Sequence, residues 1–216
     1  MAYRPFKAIL FDLDGVLVDS TESVERTLRR WSAAHGLDAD AVIAVAHGRR
    51  TVETVPAVAP HLDVEKEVAA LEAIESTMTE GVYEVPGARV LVASLPRASW
   101  AIVTSSARAV ATHRIRHTGL TMPDVLVCAD EITHGKPHPE GYLTAAERLG
   151  MDPSECVVVE DAPVGLQAAR AADMWSIGIV GTFAAEALAN ANLVVPRLTA
   201  IPAEIVESVR SGATPG

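Results

Sequence analysis

The strongest constraint on the fold of this chain is a rhythm of short apolar runs separated by longer helical patterns. The runs are Lys7–Phe11, Ser99–Thr104, Val125–Cys128, Cys156–Glu160, Trp175–Val180 and Leu193–Val195. Each is too short for a helix, and each is followed by punctuation that starts or ends one. Helical patterns cover Pro86–Leu95, Ala107–Thr118, Pro139–Leu149 and Pro163–Ala172. Gly119 and Gly150 stand where left-handed C-terminal caps belong, and Pro139 and Pro163 where first-turn prolines belong. Strand and helix in alternation imply βαβ units. The expectation is an α/β fold with a parallel sheet and helices on its faces.

The rhythm breaks once. Between Asp19 and Glu84 no convincing strand is legible, only helical pattern. Asp19 with Glu22 resembles a capping box, and Val24, Leu28 and Trp31 form an apolar stripe at helical spacing. A second helix is expected over Asp63–Glu80, with Val64, Val68, Leu71 and Ile74 on one face. The expected organisation is a discontinuous core (1–18 and 85–216) interrupted by a small helical cap domain (19–84). The cap would enter near Val18–Ser20, leave near Tyr83–Gly87 and be placed to act as a lid. Ser211–Gly216 is expected to fray.

Composition narrows the partners. A formal net charge of −10 argues against nucleic acid or an anionic membrane, both of which need a basic footprint. Two cysteines, Cys128 and Cys156, are too few for a disulfide framework and sit in apolar runs, as buried thiols in a reducing compartment would. The first residues lack an apolar signal segment, and no run approaches the ~18 apolar residues of a membrane span. The expectation is a cytoplasmic protein. Length and charge leave the oligomeric state open, a monomer included.

Four motifs fall at the ends of the apolar runs. Asp12-Leu13-Asp14-Gly15 closes the first and Thr104-Ser105-Ser106 the second. Lys136 lies in Gly135-Lys136-Pro137-His138-Pro139, and Glu160-Asp161 closes Val157–Val159. Carboxylates gathered at strand ends repel one another unless a cation lies between them. Together the motifs divide the labour of phosphoryl transfer. Asp12, Asp161 and a backbone carbonyl near Asp14 can hold Mg²⁺, a hard cation that takes oxygen ligands. Thr104 and its neighbours can bind phosphate oxygens, and Lys136 can offset charge on phosphate and nucleophile. Asp12 can attack phosphorus, and Asp14 can protonate the leaving oxygen and then deprotonate water.

With these residues in view, the chain resembles the haloacid dehalogenase superfamily of phosphatases from Lys7 to about Val195. The resemblance implies a Rossmann-like core with a helical cap inserted after the first motif. It implies Asp12 as nucleophile, Asp14 as acid/base, and Thr104, Ser105 and Lys136 as phosphate-binding residues. Asp12, Asp14 and Asp161 would form the Mg²⁺ site, with Glu160 beside it. The acid at Asp14 disfavours a dehalogenase, and Val24 stands near the position of the cap histidine of β-phosphoglucomutase-like members. Lys66, the only lysine in the insert, is a poor candidate for the Schiff-base lysine of phosphonatases. His47-Gly48-Arg49-Arg50-Thr51 is similar to the HGxRT segment of phosphatases for glycerol 3-phosphate, 2-deoxyglucose 6-phosphate and bacterial sugar phosphates. That similarity implies that His47 and either Arg50, at the segment's arginine position, or Arg49, at its variable position, meet the substrate. His134 and His138 flank the third motif without an assigned role. The implied function is Mg²⁺-dependent hydrolysis of a small sugar or polyol phosphate. The alternatives are a sugar phosphomutase and a non-catalytic regulator that binds a phosphorylated metabolite.

Overall fold

The computed structural model describes residues 4–212. Six parallel strands form one sheet: β1 (Ala8–Phe11), β4 (Trp100–Val103), β5 (Val125–Val127), β6 (Cys156–Glu160), β7 (Trp175–Ile179) and β8 (Leu193–Val195), in the order β5-β4-β1-β6-β7-β8. These strands read as apolar runs rather than alternating ones because both faces of the sheet are covered. On β1, Ile9 and Phe11 pack into one core with Trp100, Ile102, Val157 and Val159. Ala8 and Leu10 pack into the other with Ala101, Val103, Cys156 and Val158. The first face is covered by α5 (Ala88–Ala93), α6 (Arg108–His117) and α9 (Ala203–Gly212), and the second by α7 (Glu140–Leu149) and α8 (Pro163–Ala171). The fold is an α/β, Rossmann-like sheet with helices on both faces.

The chain leaves β1 for β4 and β5 on one side, then returns to β6, β7 and β8 on the other. That reversal opens a crevice at the carboxyl ends of the central strands. Over it lie four helices: α1 (Thr21–His35), α2 (Ala39–Ala46), α3 (Thr51–Val58) and α4 (Val64–Glu75). They have a small core of their own, in which Leu28, Trp31, Val42, Ile43, Val55 and Leu71 are buried.

Three details of this unit depart from the sequence reading. A two-residue ribbon brackets it: β2 (Val18–Asp19) pairs antiparallel with β3 (Tyr83–Glu84), strands too short to leave a periodic signal. No capping box forms at α1. Asp19 lies in the ribbon, and Ser20 takes the N-cap position without capping, its hydroxyl turned instead to Asp14. The second expected helix stops at Glu75, five residues early. The hydroxyls of Ser76 and Thr77 bond back to the carbonyls of Ala73 and Ile74, side-chain bonds that compete with continued helix. At the other end, Ser211 and Gly212 close α9, and residues 213–216 of the expected frayed tail lie outside the described residues. No helix among the described residues is long and apolar enough to cross a membrane.

Candidate active site

Asp12 is the first residue beyond β1, and its N–H still donates to the Val159 carbonyl at 2.9 Å. It therefore stands one step past the pair Phe11–Val159, level with Glu160. The two-residue period sends both side chains to the face of Leu10 and Val158, under α7. Lys136, from the loop before α7, meets them there. Its Nζ donates to Asp12 Oδ1 at 2.5 Å and to Glu160 Oε1 at 2.6 Å. All three groups are buried. Burial alone would lower the lysine pKa, but the two carboxylates outweigh it and hold the ammonium charged.

Glu160 is fully engaged. Oε1 also accepts from the Tyr142 hydroxyl at 2.9 Å, and Oε2 accepts from the N–H groups of Asp161 and Ala162 at 2.9 and 3.0 Å. It fixes the turn that leads into α8 and anchors Lys136. Gly165 makes this possible, since a Cβ there would fall 1.7 Å from Glu160 Oε1. Asp161, the next residue, turns toward the crevice. Burial, with Glu160 adjacent, pushes its carboxyl up to about 7. Gly15 (φ +81°) brings the β1 loop against it at a distance no side chain permits: a Cβ would lie 1.9 Å from Asp161 Oδ2.

Carboxylate oxygens of Asp12, Glu160 and Asp161 come within 4.8 Å of one another. With Glu160 committed to Lys136 and to backbone N–H groups, Asp12 and Asp161 are the two that remain for a cation. Three buried carboxylates face one ammonium, and burial, reinforced by the other acids, raises the Asp12 carboxyl despite Lys136. Such a cluster fits a hard divalent cation with oxygen ligands.

Asp14 lies on the crevice side of the loop, its side chain 27% exposed. Oδ1 accepts from Ser20 Oγ at 2.7 Å and Arg114 Nη1 at 2.9 Å, and Oδ2 accepts from Ser106 Oγ at 3.0 Å. Thr104 continues β4 through an N–H bond to the Val127 carbonyl, and its Oγ1 accepts from the Ser106 N–H at 3.0 Å. Between this floor and the helical unit is a cavity of about 120 Å³. Asp12, Asp14, Thr104, Ser105 and Asp161 line it from below, and Val24, Trp31, His47 and Arg49 from above.

Residues 6–173 match the family model for haloacid dehalogenase-like hydrolases. The chain belongs to that family. It is 43% identical to hexitol phosphatase A of Escherichia coli, over 80% of this chain and 82% of the relative. It is 38% identical to glycerol-1-phosphate phosphohydrolase 2 of Saccharomyces cerevisiae, over 82% and 75%. Its fold is similar to that of CbbY from Rhodobacter sphaeroides in complex with phosphate, with a TM-score of 0.80 at 24% identity, over 93% of this chain and 99% of that one.

Within this hydrolase the structure brings Asp12, Asp14, Thr104, Ser105, Asp161, His47 and Arg49 to one cavity, with Lys136 and Glu160 buried behind Asp12. Arg50, the other arginine of the segment, does not line this cavity. Its guanidinium points away into the core loop before Lys136. It pairs with Glu53 Oε1 at 3.0 Å and donates to the carbonyls of Ile132 (2.9 Å) and Thr133 (3.0 Å). Glu53 in turn accepts from the Gly135 N–H at 3.2 Å. The Ser105 hydroxyl likewise donates upward, to the Gly48 carbonyl at 2.9 Å. His134 and His138 pack ring on ring at the surface, 4.6 Å apart, outside the cavity.

The sequence reading missed Ser20, Thr182 and Arg114, and it placed Ser106 in the second motif without its bond to Asp14. Thr182 lines the cavity beside Asp161. Arg114 left a signal: it shares the buried face of α6 with Val110, Ala111 and Ile115, where a cation has no place without a partner.

Proposed function

We propose that this hydrolase cleaves small phosphate monoesters of sugars or polyols through a phosphorylated Asp12, with Mg²⁺ held by Asp12, Asp161 and the Asp14 carbonyl. The observation that carries the reading is Asp12 itself. It is a carboxylate at a strand end with an ammonium bonded to one oxygen, a second acid beside it and a third above it on the cavity side. Bound there, the cation would offset negative charge on the carboxylates and on the phosphoryl oxygens.

The chain's own residues supply the rest. Lys136, kept charged by Asp12 and Glu160, holds the nucleophile's rotamer and offsets the charge of the incoming phosphate. Thr104, with the turn that its Oγ1 organises, faces the phosphoryl oxygens. An Asp12 oxygen forms a bond to phosphorus as the ester P–O bond breaks, and Asp14 gives its proton to the departing alkoxide. Water then attacks the aspartyl phosphate, Asp14 takes back the proton, and the P–O bond to Asp12 breaks to free inorganic phosphate. The helical unit acts as a cap that excludes bulk water during these steps.

Arg49 and His47 are the polar groups by which the cap would read a polyol. Burial lowers the His47 pKa, so it is neutral at pH 7 and able to donate and accept. The hexitol- and glycerol-phosphate relatives support a polyol or sugar leaving group. Val24, near the position of the cap histidine of β-phosphoglucomutase-like members, lines the cavity wall, and a valine there favours a phosphatase over a mutase. The buried cysteines, their thiols raised to about 12 by burial, suit a reducing compartment such as the cytoplasm.

The test is phosphate release across a panel of sugar, polyol and nucleoside phosphates, with Mg²⁺ and with chelator, for wild type and Asp12→Asn. Wild type should release phosphate only with the cation, and Asp12→Asn should lose at least about a thousandfold in kcat, as expected for loss of a covalent nucleophile. Isomerised sugar phosphate without phosphate release would establish the mutase instead. Binding without turnover on any substrate would establish the regulator.

A further inference from the structure

We propose that Arg114 is a positioning residue that fixes the Asp14 carboxylate and makes its orientation depend on the seating of the helical unit. The guanidinium is 2% exposed on an otherwise apolar helix face, so its charge must be met by partners inside the protein. Those partners come from two different parts of the molecule. Nη1 donates to Asp14 Oδ1 (2.9 Å) and to Ser106 Oγ (3.0 Å), both in the core. Nη2 donates to Glu75 Oε2 (2.8 Å), in the last turn of α4, the final helix over the crevice. Nε–H is buried with no partner among the described residues, so the two Nη groups carry the compensation.

The remaining bonds to Asp14 share this division. Ser106, itself held by Arg114, fixes Oδ2 from the core. Ser20, the N-cap residue of α1, fixes Oδ1 from the helical unit. Displacing that unit removes Ser20 from Asp14 and Glu75 from Arg114 together. Asp14 is then held from the core only, by Ser106 and by an Arg114 that has lost its second carboxylate. The carboxylate is thus held in one orientation when the helices are seated and loosened when they lift. Arg114 reaches the cavity wall with almost no exposed surface, so it acts through Asp14.

The proposal rests on Asp14 being the acid that protonates the leaving oxygen, and leaving groups of different basicity separate the two ideas. An alkoxide needs that proton, and p-nitrophenolate departs without it. The experiment measures kcat, KM and Tm on sorbitol 6-phosphate and p-nitrophenyl phosphate for wild type, Asp14→Asn, Arg114→Met, Arg114→Lys and Glu75→Gln. Arg114→Met should lower the ratio of alkyl to aryl kcat about tenfold, with KM little changed. Arg114→Lys should recover part of the ratio, and Glu75→Gln should lower it about threefold from a position remote from phosphorus. If Arg114→Met does not fold, the Lys and Glu75 variants carry the test. The proposal is overturned if the Arg114 and Glu75 variants keep the wild-type ratio, whatever their Tm, while Asp14→Asn loses it. A wild-type ratio in Asp14→Asn would overturn the acid/base reading itself, and the proposal with it.

Discussion

Lys136 satisfies two carboxylates in the core, and the loop that delivers it is itself held by a third. Glu140, in the first turn of α7, accepts from the N–H groups of Thr133 at 2.7 Å and His134 at 2.9 Å, and from the His134 ring at 3.0 Å. Those bonds, the backbone of Thr133 first, lower its pKa to about 2. Because the folded value lies below the unfolded one, the stabilisation is complete above about pH 4.5 and lost as pH falls toward 2. Glu140→Gln should therefore melt below wild type at pH 6–7, and the gap in Tm should shrink steadily between pH 4.5 and 3. A gap that stays constant across that range would mean that the charge on Glu140 contributes nothing and only its shape matters. Asp12, Asp14, Thr104, Lys136 and Asp161 were legible in the sequence because each ends an apolar run or sits beside a breaker. The role of Arg114 was not, since its two carboxylate partners lie 100 and 39 residues before it.

Among the elements, α3 has the most unexpected duty. Arg50 stands at its N-cap and Glu53 in its first turn, and together they clamp the helical unit onto the loop that carries Lys136. A motif of this kind reads as a basic turn in sequence, and only the folded loop shows its donors turned away from the cavity. The helix itself was illegible for related reasons. It has eight residues, contains Pro56 and buries only Thr54 and Val55, so no 3.6-residue stripe develops. Arg50→Ala removes one partner of a largely buried pair and leaves Glu53 beside the carbonyls of Ala129, Ile132 and Thr133, which Arg50 had satisfied. The cost should be about 2–3 kcal/mol, less than for a fully buried pair because Glu53 is 30% exposed. For a chain of this size that is a fall of roughly 5–10 °C in Tm. Activity should fall by a similar factor on every phosphate ester, aryl or alkyl. Arg49→Ala should do the reverse, with Tm unchanged and losses concentrated on polyol phosphates. A selective loss in Arg50→Ala with unchanged Tm would return Arg50 to the substrate.

On the scale of the whole molecule, the sheet was legible because parallel strands buried on both faces must be apolar throughout, as Ala8–Phe11 and Cys156–Glu160 are. Strand order was not, because each run carries the same information about burial and none about its neighbours. The same limit applies to charge. A net −10 describes the field a substrate meets at a distance, while Lys136 and Arg49, with the proposed cation, would act only within the crevice. A dianionic phosphate monoester should therefore be repelled on approach and held on arrival. Salt shortens the reach of that repulsion from about 30 Å at 10 mM to about 8 Å at 150 mM ionic strength, while contacts inside the closed cavity are screened far less. At saturating Mg²⁺, kcat/KM should rise about twofold over that range with kcat nearly constant, the increase lying in the association step. The measurement is a salt titration of initial rates at fixed free Mg²⁺, with potassium chloride as the screening salt. A fall in kcat/KM over the same range would mean that the local cations of the crevice, rather than the acidic surface, govern the encounter.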